Sequence, residues 1–81
     1  SDRAELIQTI AAAKGRTRQV EVRFLDPQIV ELGPASAVIE ATAQARVSGD
    51  PELYVVEIRF TLVKLEGLWR VRQVENVPTF E

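Results

Sequence analysis

Between Ala37 and Val47 every odd-numbered position is apolar, while the even positions include Glu40, Thr42, Gln44 and Arg46. An extended strand sends alternate side chains to opposite faces, so this run predicts a strand with one face on a core. A helix would spread the same residues around its whole circumference. One strand cannot stand alone, and its period of two therefore demands further strands beside it.

Those strands follow on both sides. Upstream, Val20, Val22 and Phe24 alternate with Gln19, Glu21 and Arg23 until Asp26-Pro27 breaks the run, and Ile29 to Leu32 reads as a short strand or its continuation. Gly33-Pro34 turns the chain into the central strand. Ser48-Gly49-Asp50-Pro51 makes the next turn, and Glu66-Gly67 suits a two-residue hairpin loop closing on Trp69. Ahead of the sheet, Asp2 with Glu5 three positions later predicts a helix start, and Leu6, Ile7, Ile10, Ala11 and Ala13 lie along one helical face until Gly15. The expected architecture is α+β: one N-terminal helix, over about residues 2–14, packed on a curved antiparallel sheet of about four strands.

Pairing Ser48 with Leu53 and Leu65 with Leu68 gives one face rows of Ile39, Leu62, Val71, then Ala41, Phe60, Gln73, then Ala43, Ile58, Glu75. Small residues opposite large ones make room for the helix there, and Phe60 and Trp69 belong in the core. The other face carries Glu40, Thr42, Arg59, Thr61 and Arg72, with Glu40 and Arg59 close on a diagonal. It also carries Val38, Leu53, Val55, Val63 and Leu68, more apolar surface than a wholly wet face holds. Self-association is expected there, through Val38, Val55, Arg59, Val63, Leu68 and Arg72.

With 81 residues the chain is at most one domain, which by surface scaling buries only about 60% of its unfolded surface. Ten basic against 12 acidic residues give a net charge of −2, so no overall positive field draws nucleic acid or anionic lipid. Lys14, Arg16 and Arg18 form a local basic trio, read first as a cluster suited to a helix C-terminus. The absence of Cys and His excludes disulfides, thiolate or imidazole metal sites and His-dependent triads within this chain, and leaves the redox compartment open. The carboxylates are scattered without a ligand spacing, so no metal or cofactor is implied. No apolar run approaches the roughly 20 residues that span a bilayer.

Candidate ligand-binding residues are Tyr54, Gln73 and Glu75. If the second hairpin is regular, Gln73 and Glu75 lie on the otherwise apolar face at a pocket mouth, with Tyr54 near the open end of the sheet. A bulge near Arg72 would instead turn them outward and bring Val74 in. Arg59, Arg70 and Arg72 face Glu57 and Glu40, which makes a neutralised ladder of a set that would otherwise grip an anion.

Helix, strands ending in Asp-Pro, a Gly turn, a long alternating strand and a hairpin closing on Gly67-Leu68-Trp69-Arg70-Val71 together resemble the nuclear transport factor 2-like superfamily. Its many short bacterial members include polyketide-cyclase-like and ketosteroid-isomerase-like proteins of cystatin-like fold. The likeness is carried by Ala35 to Val47 and Phe60 to Val74 and corresponds to the C-terminal part of the family's domain, so residues 1–81 would be a partial or reduced domain. In catalytic members the pocket lies between sheet and helices, and the last strand often brings His where this chain has Gln73 or Glu75. No catalytic residue is therefore carried over. The two-sided apolar sheet and the missing catalytic groups predict a non-catalytic binding or assembly domain, a homodimer with a small apolar ligand or protein partner; the alternative, implied by the resemblance alone, is a small isomerase, dehydratase or cyclase with Glu75 as base.

Overall fold

The computed structural model describes residues 1–16 and 19–77, so Arg18 of the basic trio lies outside the described residues. Among the described residues there is one helix, α1 (Asp2–Ala12), and the strands β1 (Lys14–Arg16), β2 (Val20–Leu32), β3 (Ser36–Val47), β4 (Leu53–Leu65) and β5 (Leu68–Asn76). The strands form one antiparallel five-stranded sheet in chain order, β1-β2-β3-β4-β5, so the expected α+β class holds. With a helix on one face only, the molecule is a slab, 43 × 33 × 18 Å along its principal axes.

The helix starts one residue earlier than its acidic signal suggested. Ser1 is the N-cap, its hydroxyl accepting from the Ala4 amide at 3.4 Å, while Asp2 and Glu5 occupy the first turn, where a carboxylate offsets the positive end of the dipole. It also ends earlier. Ala13 is extended, and Lys14, Gly15 and Arg16 pair with β2 as an added edge strand instead of closing the helix.

β2 runs through Asp26-Pro27 without stopping. Asp26 adopts φ 51°, a left-handed conformation that Asp tolerates, and the ladder to β3 shifts there and again before Glu31. Proline lacks the N–H that a regular ladder needs, so a bulge accommodates it. The β4–β5 loop is the expected two-residue turn, with φ 52° at Glu66 and 80° at Gly67 and Leu65 paired with Leu68. These signs at both central positions match the right-handed twist of the flanking strands.

The β3–β4 register differs from expectation by two residues: Arg46, not Ser48, pairs with Leu53. Val47 instead closes the turn by accepting from the Asp50 amide at 3.0 Å. A slip of two preserves which face each side chain takes, so the parity is as expected and the rows slide. The helix-side rows are Leu32, Ala37, Leu62, Val71, then Ile29, Ile39, Phe60, Val74, then Phe24, Ala43, Val56.

The core is the cluster of Leu6 and Ile10 from α1 with Ala37, Ile39, Ala41, Ala43, Ile58, Phe60, Leu62 and Trp69. The face bearing Ala41, Ala43, Ile58 and Phe60 is thus the one under the helix, and the alanines admit it. The Phe24 and Phe60 rings meet edge to face, 5.1 Å between centroids. At one end of α1, Lys64 Nζ donates to Asp2 at 3.0 Å while lying 5.6 Å above the Trp69 ring. Among the described residues the buried Trp69 indole N–H has no partner in hydrogen-bonding geometry; as a neighbouring dipole it still favours an ionised Asp2.

Lys64 hydrogen bonding is the main cause that holds the Asp2 carboxyl below the usual carboxylate range. A folded-state pKa below the unfolded one adds stability above about pH 4, and that stability is lost as the pH falls through the folded value. Acid should therefore loosen the start of α1 before the sheet. Trp69 fluorescence followed from pH 5 to pH 2 would read this, and in Asp2→Asn the acid-linked change should be absent.

Candidate functional site

Three residues were expected to line a pocket, and the structure does not bring them together. Tyr54 is on the helix-side face, opposite Ala45 and 46% exposed, but its hydroxyl donates to Asp50 at 2.6 Å. Asp50 also accepts from the Glu52 amide at 2.9 Å, as turn-forming Asp residues do. The Tyr54 bond is the main cause lowering the Asp50 carboxyl, and the same bond raises the Tyr54 phenol. Tyr54 thus pins the end of the β3–β4 hairpin. Its contribution is present below about pH 10 and lost as the pH rises through its folded pKa.

Gln73 and Glu75 are not on the helix side. β5 carries a bulge at Arg72: Leu62 pairs with Val71, but Thr61 pairs with Gln73 and Phe60 with Val74. One extra residue reverses the alternation, so of the two arrangements the sequence allows the structure takes the bulge near Arg72 and not the regular hairpin. It brings Val74 to the helix side and turns Gln73 and Glu75 to the other. There Glu75 lies opposite Arg59, 3.9 Å from its guanidinium.

Arg59 is also directly opposite Glu40, not on a diagonal, and donates from both Nε and Nη2 to Glu40 Oε2 at 2.9 Å. The Thr42 hydroxyl donates to Glu57 at 2.8 Å in the next row. The outer face therefore has a polar centre, Glu40, Arg59 and Glu75, whose charges are mutually engaged and, at this exposure, contribute little to stability. Of the residues expected at an outer-face interface, Val38 and Val63 are half-buried, whereas Val55 and Leu68 are 53% and 59% exposed. Arg72 is exposed in the bulge.

The larger feature is a stripe on the helix side. α1 covers the sheet from β2 to Trp69 and leaves Val56, Val71 and Val74 between 45% and 55% exposed. The sequence holds a signal for it: Trp69 and Val71 alternate, and then Val74 breaks the period by one. Grooves flank α1, one toward Pro27 and Ile29 and one toward Leu68 and Trp69; neither is lined by Tyr54, Gln73 or Glu75.

Among the described residues no group of three or more potential ligands is placed to hold a metal ion. No helix among them is long and apolar enough to cross a membrane. No family model, curated protein or solved structure matches the chain.

Proposed function

We propose that this chain is a non-catalytic binding or assembly domain that self-associates through the β4–β5 half of its sheet. One observation carries the proposal. Of the ten large apolar residues exposed among the described residues, eight lie on β4 and β5: Leu53, Tyr54, Val55, Val56, Leu65, Leu68, Val71 and Val74. Tyr54, Val56, Val71 and Val74 lie on the helix side and Leu53, Val55, Leu65 and Leu68 on the outer face, so both faces of this half carry exposed apolar surface of the kind that is covered in use. Burying a single Val or Leu there contributes about 1.5–3 kcal/mol, so a handful outweighs the ordering of the exposed arginine side chains.

The resemblance to the nuclear transport factor 2-like superfamily is part of the same proposal: the chain is read as a reduced member of that family whose sheet is completed by a second copy. The separation of Tyr54 from Gln73 and Glu75 on opposite faces favours binding over chemistry. Sedimentation velocity from low to high micromolar concentration is the test. A concentration-dependent dimer is expected, and a monomer throughout would overturn the assembly reading.

A further inference from the structure

We propose that β5 pairs antiparallel with β5 of a second copy, in the register that sets Val71 opposite the partner's Val74 and Arg70 opposite the partner's Glu75. The inference rests on the assembly reading and specifies its geometry. β5 is nine residues long and ends the sheet, with β4 as its neighbour on one side and, among the described residues, no strand on the other. A strand edge of that length presents a row of backbone donors and acceptors to any strand that fits.

The bulge decides which strand fits. Residues facing each other across an antiparallel pair lie on the same face of the sheet. In a regular strand Val71 and Val74 would point to opposite faces, as would Arg70 and Glu75, and this register would fail. The extra residue at Arg72 places Val71 and Val74 together on the helix side and Arg70 and Glu75 together on the outer side. A two-fold axis between Arg72 and Gln73 then makes every contact twice, giving two apolar Val–Val pairs and two Arg–Glu pairs.

Val71 and Val74 are 45% and 55% exposed in the single chain, so both have surface to bury. Glu75 touches Arg59 only at 3.9 Å and retains oxygen lone pairs for the partner's Arg70. The result is a continuous antiparallel sheet across both copies, with both helices on one side. Charges and bulges on an edge strand usually block indiscriminate pairing. Here they reject foreign strands and shifted registers, and Arg70 and Glu75 meet favourably only in this one. The two copies of Arg72 near the axis are the unfavourable element, held apart by long stems that reach solvent.

Charge reversal tests the register directly. Arg70→Glu alone and Glu75→Arg alone each create two like-charge contacts and should weaken the homodimer at least about tenfold. An equimolar mixture of the two variants restores opposite charges at both contacts, so a heterodimer near wild-type affinity is expected. Circular dichroism of each variant checks that the fold is intact. Dimerisation unmoved by either reversal but abolished by Val55→Glu would overturn the edge pairing and leave assembly through the outer face. Single variants that weaken without rescue on mixing would also overturn this register. A wild-type monomer at high micromolar concentration would overturn both the register and the assembly reading.

Discussion

Phe60→Ala is expected to lose about 3–5 kcal/mol of unfolding free energy, the range for truncating a buried aromatic residue. Phe60 is 4% exposed at the middle of β4 and lies between Ile39 on β3 and Val74 on β5. Its ring also meets Phe24 of β2 at 87° between planes, so a single side chain ties four elements of the sheet through contact or pairing. Removing it opens a cavity that neighbours can fill only by bending strands held in a ladder, and the rigid backbone limits that collapse. A domain of 81 residues has a total stability on the order of 4–12 kcal/mol. Urea titration should therefore show a population that is partly unfolded in buffer or close to it. A loss below about 1 kcal/mol would place Phe60 outside the core.

Leu6→Ala and Ile10→Ala should each lose about 2–5 kcal/mol, and together they should detach the helix. Both side chains have no solvent exposure, and they are the buried residues of an 11-residue helix. A helix that short is marginal in water by itself, so its persistence comes from docking. The double variant should lose its helical circular dichroism and the amide protection of residues 6–12 while β2–β4 keep theirs. A helix that stays protected in the double variant would show that the Lys64–Asp2 pair and the Ser1 cap, not the apolar contact, hold it.

How far the sequence could be read follows from which interactions are local. The alternation of Ala37 to Val47 marks a strand and its faces because side-chain direction is a property of the strand itself. Glu66-Gly67 marks its hairpin because the turn needs positive φ at both positions. Registers were legible only where a turn of defined length imposes them. Leu65 opposite Leu68 follows from the two-residue loop, whereas the longer loop after Val47 admits several closures, and the structure takes one two residues away from the simplest. The candidate site suffered most from this dependence. Gln73 and Glu75 change faces on one bulged residue; the break in period between Val71 and Val74 marks a bulge near Arg72 as one of two possible arrangements, and only pairing with β4 decides that it forms.

By itself the sequence determined an α+β chain with one helix, its long strands, the apolar face that receives the helix, and the exclusion of thiol and imidazole chemistry. Each of these depends on residue type and spacing along a single segment. Only the tertiary structure decided that Lys14–Arg16 would become an edge strand, that Arg59 would sit opposite Glu40, and that Val56, Val71 and Val74 would be left beside the helix. Those outcomes depend on how far an 11-residue helix reaches across strands of up to 13 residues. They depend equally on where a ladder takes up an extra residue, a balance of pairing and packing among segments distant in the chain.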